Sequence, residues 1–302
     1  MLDITLKQLE AFTAAAEYNS FTRAAEELYL TQSTVSAHIR ALEEALGVQL
    51  ILRGARRKPV LTEEGKRVYS AARDILNRCQ SLRDLTEGPR GGELSLAAST
   101  VPAQYLLPAL MSGFLSRNGD SRYLLQRGDS AQVHRLLEQG EARVGFAGAA
   151  LDRKNFTYHA LIEDRLVLVT ANSENYRALQ SRGETGRALL GEPMIAREET
   201  SGTRQAFGAY LRRSGLSAET LRIVATMDNP EAIKSSVARG MGVAVISSLA
   251  AEEERQSGKL LCFDLDPAGA FRKIYMLWRR DLVPTQTEQR FINYVRTAMK
   301  EH

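Results

Sequence analysis

The apolar and polar positions between residues 21 and 47 recur with the period of two short α-helices joined by a tight turn. The buried stripe of the first helix would consist of Phe21, Ala24, Ala25 and Leu28. The buried stripe of the second would consist of Val35, Ile39, Leu42 and Leu46. Ser20 and Thr31 are suited to cap the two N-termini, and Gly47 is suited to end the second helix. The pattern therefore predicts a helix–turn–helix unit.

The outward face of the second helix is small and polar near its N-terminus. Small side chains let a helix approach the DNA major groove closely, and hydroxyl, amide and guanidinium groups can read base edges and phosphates. The candidate DNA-binding residues of this helix are Thr31, Gln32, Ser33, Thr34, Ser36, Ala37 and Arg40. An ordinary helical hairpin with a solvated polar face has the same pattern, so that alternative stays open on these positions alone.

The flanking segments extend this unit. A helical stripe of Leu6, Leu9, Phe12 and Ala16 predicts a helix that completes a three-helix core. Apolar, β-prone residues at 48–52 and 59–61 predict a hairpin wing, and its basic positions are Arg53, Arg56, Arg57 and Lys58. Charge runs are usually solvated loops. Beside a recognition-type helix, contact with DNA phosphates is the favoured interpretation.

A long helix is predicted from Thr62, as N-cap, to about Leu85. Its apolar positions alternate in steps of four and three residues, which is typical of a coiled-coil seam. The seam residues are Val68, Ala72, Ile75, Cys79 and Leu82. We expect this helix to pair with a second copy of itself, and docking on its own domain is the alternative.

Glycine and proline between residues 87 and 92 predict a hinge. Short β-prone runs then alternate with helical stretches, which predicts an α/β fold with a largely parallel sheet. The predicted strands are Leu94–Ala98, Tyr123–Gln126, Val144–Ala147, Leu166–Thr170, Met194–Ala196, Arg222–Thr226, Val243–Ser247, Leu260–Leu265 and Ile274–Trp278. The segment is long enough for two small subdomains.

Two strand-to-helix junctions carry groups suited to a small anion, because helix N-termini offer free amides. The candidate ligand-binding residues are Ser99, Thr100 and Val101 at the first junction and Ser201, Gly202, Thr203 and Arg204 at the second. Asn229 is a candidate for a third wall. Each junction could equally be an ordinary capped helix. Glu198 and Glu199 would suit a ligand that also carries a positive charge, such as an amino-acid derivative.

Composition narrows the class of protein. The 302 residues are 44% hydrophobic and 25% charged, as in ordinary folded proteins, and the net charge of +4 does not by itself indicate a nucleic-acid partner. The start of the chain has the pattern of an amphipathic helix rather than of a secretion signal, and no run of apolar residues is long enough to span a membrane. We expect a cytoplasmic protein.

The sequence contains few of the residue patterns that are typical of catalytic sites. The four histidines and two cysteines have no metal-ligand spacing, and no nucleophile elbow occurs. We predict no catalytic residue, no metal and no cofactor other than a small-molecule effector. A solute-binding protein with an added helical domain and an α/β enzyme are the alternative functions. The missing signal segment counts against the first, and the missing catalytic constellation counts against the second.

Several of these stretches occur together in one known family. The run AAEYNSFTRAAEELYLTQSTVSAHIRALEEALGVQLILR, followed by LTEEGKRVYSAARDIL, resembles the N-terminal domain of LysR-type transcriptional regulators. The match extends through about the first ninety residues, and the remainder resembles the effector-binding domain of that family more loosely. The SGTR segment at 201–204 is similar to a subgroup that includes regulators of carbon fixation and cysteine metabolism.

The resemblance implies an architecture and a set of partners. A winged helix-turn-helix would occupy 1–61, a dimerisation helix 62–86, a hinge 87–92 and a periplasmic-binding-protein-like α/β domain 93–302. Within that domain, subdomain one would take 93–165 and 267–302, and subdomain two 166–266. The implied partners are double-stranded promoter DNA, a second copy of the chain, further copies in a tetramer, and RNA polymerase. An effector in the cleft would shift the relation between the DNA-binding arms.

The chain departs from the family at one position near the cleft. Many members have Gly-x-x-Asp before the strand at residue 144, whereas this chain has Gly140-Glu141-Ala142-Arg143. We expect Arg143 to alter the charge of the cleft or the closure of the subdomains.

Overall fold

The N-terminal unit is built from three helices whose caps are local. The computed structural model describes residues 3–52, 59–87, 92–119 and 121–300. The helices are α1 (Leu6–Tyr18), α2 (Phe21–Glu27) and α3 (Gln32–Leu46). Ser20 and Thr31 cap α2 and α3 by accepting backbone N–H groups, and Gly47 ends α3 with a left-handed φ of 68°. These three predictions are confirmed.

A short hairpin follows α3. Strands β1 (Ile51–Leu52) and β2 (Val60–Leu61) pair in antiparallel fashion. The carboxylate of Glu43, in α3, accepts the backbone N–H groups of Leu50 (2.9 Å) and Ile51 (3.2 Å), which attaches the base of the hairpin to the recognition helix. The predicted phosphate-binding residues Arg53, Arg56, Arg57 and Lys58 lie outside the described residues.

The long helix α4 (Glu63–Glu87) begins where the sequence predicts. Thr62 caps it, accepting the N–H of Gly65 at 2.8 Å. Ala72 is only 1% exposed and belongs to the same core as Phe12 of α1, and Val68 packs partly against that core. The prediction that Ala72 lies in a seam between two copies is therefore wrong, because its side chain is already covered within one chain. Ile75 is 43% exposed, Cys79 is half-buried, and the side chain of Leu82 lies outside the described part.

The rest of the chain is an α/β unit. Its strands are β3 (Glu93–Ser99), β4 (Arg122–Gly128), β5 (Val144–Ala147), β6 (Phe156–Ala171), β7 (Met194–Arg197), β8 (Ile223–Met227), β9 (Val243–Ser247), β10 (Leu260–Asp264) and β11 (Ala270–Arg279). Its helices are α5 (Thr100–Tyr105), α6 (Leu107–Asn118), α7 (Ser130–Glu138), α8 (Glu174–Ser181), α9 (Gly202–Arg213), α10 (Pro230–Ala238), α11 (Ser248–Gln256) and α12 (Gln286–Ala298).

The sheet is mixed rather than largely parallel, which corrects the expectation from sequence. Its order is β4-β3-β5-β11-β6-β9-β7-β8, with β10 also paired to β6. Parallel pairs lie toward both ends, whereas β6 pairs in antiparallel fashion with β9, β10 and β11. β6 begins at Phe156, ten residues before the strand that the sequence predicts. Polar residues at 157, 159 and 163–165 interrupt the apolar run there and hide the strand.

Separate apolar clusters fill the two halves of this unit. Leu96, Phe146, Met276 and Phe291 belong to the first, and Leu166, Met194 and Ala270 belong to the second. The crossings between the halves fall inside β6 and β11, so they are continuous strands rather than loops. The return crossing therefore lies later than the predicted boundary at 267, because Ala270 packs in the second half. No helix in the described part of the chain is both long and apolar enough to cross a membrane.

Substitutions at Ala72 and Ile75 test the two faces of α4 separately. Ala72→Glu should lower the free energy of unfolding by roughly 3 kcal/mol or more, since it both overpacks the core and buries a carboxyl group. Ala71→Glu, at an exposed neighbouring position, is the control and should be nearly neutral. Ile75→Glu should keep the unfolding midpoint and reduce the mass measured by light scattering. An unchanged mass for Ile75→Glu would exclude this face of α4 from self-association.

Candidate functional site

The predicted DNA-binding residues of α3 form one outward face. Thr31, Gln32, Ser33, Ala37 and Arg40 are exposed. Thr34 and Ser36 are half-exposed at the edges. The opposite face of α3 is buried through Val35, Ile39 and Leu42, so the helix has only this polar face to offer a ligand.

Hydrogen bonds order the N-terminal end of this face. The Thr31 hydroxyl lies 2.8 Å from those of Ser33 and Thr34, and Arg40 donates to the Ser36 hydroxyl at 3.2 Å. These bonds are exposed to solvent, so they can be exchanged for bonds to bases or phosphates without a large desolvation cost.

Tyr29, in the turn before α3, is a feature that the sequence did not reveal. Its side chain is 96% exposed and its φ is +54°, a conformation that a bulky side chain rarely adopts. The only signal in the sequence was that Tyr29-Leu30-Thr31 breaks the helical period. An exposed aromatic hydroxyl beside a recognition helix is available to a DNA backbone.

The second site is a cavity between the halves of the α/β unit. Six of the predicted ligand-binding residues line it together, namely Ser99, Thr100, Val101, Ser201, Gly202 and Thr203. They come from the β3–α5 and β7–α9 junctions, one from each half. Arg204 and Asn229 do not line it. Arg204 lines a separate cavity of subdomain two, and Asn229 accepts the N–H of Glu231 as the cap of α10.

Five further residues complete the lining, and the sequence indicated only Glu198 among them. They are Asp129, Ser130, Arg197, Glu198 and Arg272. Asp129 and Ser130 follow β4 and begin α7, so they repeat the strand-to-helix pattern that marked the other two junctions. Arg272 lies within β11, and nothing in its neighbourhood in the sequence points to the cavity.

Arg272 is held at the floor of the cavity by a buried carboxylate. Its Nε donates to Asp164 Oδ2 at 2.8 Å, and Ser247 donates to Asp164 Oδ1 at 2.6 Å. The Arg272 side chain is only 8% exposed. Side-chain carbons added to Gly148 or Gly202 would come within 3.1 Å of Arg272 Nη1, so both glycines make room for it.

Three buried donors around the cavity have no hydrogen-bond partner among the described residues. They are Ser130 Oγ, Thr203 Oγ1 and Arg272 Nη2. Ser130 and Thr203 are 2% and 1% exposed. Leaving such a group unpaired costs about 1–3 kcal/mol, so buried polar groups usually have a partner. Three unpaired donors on residues that line one cavity indicate a site for an acceptor-rich ligand.

The acidic residues that line the cavity already accept hydrogen bonds from neighbouring groups. Arg197 donates from Nε and Nη2 to the two carboxylate oxygens of Glu198, both at 2.8 Å. Asp129 accepts the N–H of Gln132 at 2.6 Å as the cap of α7. The cavity volume is about 10 Å³. That is close to what one water molecule needs, so a larger ligand requires the two halves to move apart.

A hydrogen bond joins the two halves beside the cavity. The Tyr105 hydroxyl, in α5, donates to Glu231 Oε1 of α10 at 2.5 Å. Lys234 pairs with Glu231 at 2.9 Å and with Glu254 at 2.8 Å. Burial and the bond to Glu231 raise the pKa of Tyr105, so its hydroxyl stays protonated and donates. Burial acts to raise the pKa of Glu231, but the bonds from Tyr105 and Lys234 outweigh it and hold that pKa below 4.5.

Arg143 is not part of the cavity, which corrects the expectation that it alters the charge of the cleft. It is 7% exposed, and its guanidinium points toward α4 and α12. Among the described residues, no group of three His, Cys, Asp or Glu side chains could hold a metal ion.

Comparison with protein families covers most of the chain. Residues 6–66 match the family described as bacterial regulatory helix-turn-helix protein, lysR family. Residues 87–300 match the family described as LysR substrate binding domain. Residues 67–86, which lie between the two matches, belong to the long helix α4, in agreement with the structural division into a helical unit and an α/β unit.

Individual relatives are similar over nearly their full length. A RuBisCO operon transcriptional regulator of Allochromatium vinosum is 30% identical over 283 residues, which cover 92% of this chain and 91% of the relative. The HTH-type transcriptional activator CmpR of a Synechocystis species is 29% identical over 298 residues, covering 98% and 96%.

Solved structures share the fold at lower identity. A full-length OxyR from Pseudomonas aeruginosa superposes with a TM-score of 0.78 at 18% identity, covering 98% of this chain and 95% of that one. Full-length LysG from Corynebacterium glutamicum with bound effector Arg gives a TM-score of 0.70 at 19% identity, covering 99% of each.

Removing the bond across the cleft should give a pH-dependent loss of stability. At pH 7, Tyr105→Phe should lower the free energy of unfolding by only about 1 kcal/mol, because the bond is exposed to solvent. The pKa of Glu231 is depressed in the folded state, so its contribution is complete above 4.5 and is lost as the pH falls through the depressed value. The difference between the wild type and Tyr105→Phe should therefore shrink in denaturant titrations below pH 4.5.

Tyr176→Phe, at another half-buried tyrosine, is the control and should show no such dependence. Parallel stability curves for wild type and Tyr105→Phe from acid to neutral pH would exclude the Glu231 bond as a contributor.

Proposed function

This chain belongs to the LysR family of DNA-binding transcriptional regulators, and from that premise we propose that a compact anion in the Ser99–Thr203 cavity controls its binding to promoter DNA. Proteins of this family are regulators and not enzymes. In this proposal the helix-turn-helix unit binds DNA and the effector-binding domain binds the ligand. A separate observation supports each of these two assignments.

At the DNA, the supporting observation is the single polar face of α3. Its exposed hydroxyl, amide and guanidinium groups are the donors and acceptors that major-groove readout uses. Arg40 would contact a base edge or a phosphate, and Tyr29 and the wing arginines would contact the backbone. Such a protein acts where the chromosome lies, so we propose a cytoplasmic regulator that also contacts RNA polymerase.

Self-association is part of this proposal. Paired half-sites on DNA require two recognition helices, and a dimer supplies them. The exposed Ile75 and the half-buried Cys79 on α4 are the residues that we assign to the contact between copies, whereas Ala72 and Val68 serve the fold of one chain. Further pairing of dimers into a tetramer stays a prediction from the family resemblance.

The ligand is argued from the three unpaired buried donors. Arg272 Nη2 can only donate, and the hydroxyls of Ser130 and Thr203 can donate as well, so an atom with lone pairs and negative charge satisfies all three. The N-terminus of α9 adds backbone amides next to Ser201. A carboxylate or a small oxyanion fits this set.

A simple anion is favoured over a zwitterion. The sequence alone left a zwitterion open because two glutamates lie near the second junction. Two nitrogens of Arg197 donate to the Glu198 carboxylate, and Glu199 does not line the cavity. No uncompensated carboxylate of that pair is left for an ammonium group. The LysG structure carries arginine, so an amino acid remains the second candidate.

Substitutions in the DNA-binding face should differ in kind. Arg56→Ala should weaken binding to all DNA sequences and reduce the slope of log affinity against log salt by about 0.9, the value for one lost phosphate contact. Arg40→Ala should cost about 1–3 kcal/mol on a promoter fragment and less on random DNA if it reads a base edge. Gel-shift titrations at several salt concentrations measure both.

Arg182→Ala removes the same charge from an exposed position of the effector-binding domain and is the control. If Arg56→Ala had the slope of Arg182→Ala, the wing would not be part of the interface.

The anion proposal is tested by calorimetry and thermal shift with sulfate, phosphate, nitrate, formate and L-arginine. At least one anion should raise the unfolding midpoint of the wild type. Thr203→Val and Arg272→Gln should each weaken its binding by roughly ten- to a hundredfold, because each loses a charge-assisted hydrogen bond. Thr100→Val should weaken it to a smaller degree.

Thr185→Val is the matched control, since the Thr185 side chain makes no capping hydrogen bond and lies outside the cavity. Tight binding of L-arginine alone would replace the anion with the amino acid. Equal affinities for wild type, Thr203→Val and Arg272→Gln would remove this cavity as the ligand site.

A further inference from the structure

Arg143 connects segments that are far apart in the sequence. It precedes β5, and its side chain is 7% exposed. Its Nε donates to Glu288 Oε1 at 2.5 Å, Nη1 to Asp74 Oδ1 at 2.6 Å, and Nη2 to the carbonyl of Val283 at 3.2 Å. Glu288 and Val283 belong to the effector-binding domain, whereas Asp74 belongs to α4. One guanidinium therefore joins the linker helix to that domain.

A second arginine supports the same contact. Arg279, at the end of β11, donates to the Ser70 hydroxyl and lies 3.8 Å from Asp74 Oδ2. Ser70 is 6% exposed, and a side-chain carbon at Gly140 would come within 3.3–3.4 Å of it. The polar face of α4 thus contacts the effector-binding domain at Ser70 and Asp74, on the side of the helix roughly opposite Ala72, because two residues correspond to about 200° of helical rotation.

The energetics of this contact favour a role in orientation. Removing two charges from water costs about as much as their attraction returns, so a buried ion pair adds little net stability. The contact does require a single geometry. A guanidinium whose three nitrogens are bonded to three partners cannot shift without leaving a buried charge unpaired. Arg143 is such a guanidinium, since each of its three side-chain nitrogens has a partner.

We propose that Arg143 is an interdomain clamp that sets the direction in which α4, and with it the DNA-binding unit, leaves the effector-binding domain. The clamp would determine the separation of the two recognition helices in a dimer and hence the spacing of half-sites that the protein accepts. None of its residues lines the ligand cavity, so the proposal does not depend on the identity of the effector.

Asp74→Asn is the sharpest test, because it removes the charge on α4 and leaves Arg143 paired with Glu288 inside the effector-binding domain. Spin labels on ketone-bearing residues at positions 10 and 259, both exposed, avoid the native cysteines. In dimers diluted with unlabelled protein, the wild type should give one narrow distance distribution by double electron–electron resonance. Asp74→Asn should broaden it by about twofold or more, as several orientations become similar in free energy.

Glu64→Gln is the matched control, since it removes a carboxylate whose partner, Arg67, lies on the same helix. It should keep the wild-type distribution, and Asp74→Glu should restore it in part. On a promoter fragment, Asp74→Asn should also change the length of the DNase I footprint while the thermal unfolding midpoint moves little. A distribution and a footprint equal to those of the wild type would overturn the clamp, as would equal broadening by Glu64→Gln.

Discussion

The antiparallel pairing of β6 with β11 is the constraint on which the effector-binding domain depends. Ten residues of β11 pair with β6, from Ala270 against Leu166 to Arg279 against Phe156. The apolar clusters of the two halves lie toward opposite ends of this pair, so each half is held to the other by backbone hydrogen bonds rather than by a flexible connection. Movement between the halves must bend or twist two paired strands, which limits it to small rotations about the cleft.

Strand β11 carries one residue at the ligand cavity and one at the contact with the linker helix. Arg272, within β11, lies at the floor of the cavity, and Arg279, at its end, contacts the linker helix. A change in the position of β11 would therefore alter both the ligand cavity and the contact with the linker helix α4. This gives the two sites a shared structural element without any direct contact between them.

Two sets of buried polar groups contrast in this molecule: one lines the cavity, and the other joins the linker helix to the effector-binding domain. At the clamp, Arg143 has a partner for every nitrogen, so the contact is complete within one chain. At the cavity, Ser130, Thr203 and Arg272 each retain an unpaired donor. Because an unpaired buried donor is costly, the incomplete set is the one that a ligand can complete with a gain in free energy.

The sequence by itself determined the local elements of the protein. Helix caps at Ser20 and Thr31, the polar face of α3 and the strand-to-helix junctions at Thr100 and Thr203 were all predicted correctly, since these depend on residues within one or two turns. Tertiary structure alone decided the rest. Asp164 and Arg272 are 108 residues apart, and Asp74 and Arg143 are 69 apart. Whether Ala72 faces its own core or another chain depends on where α1 packs. No local period encodes these pairings, because they arise only when the sheet order and the helix packing bring distant segments together.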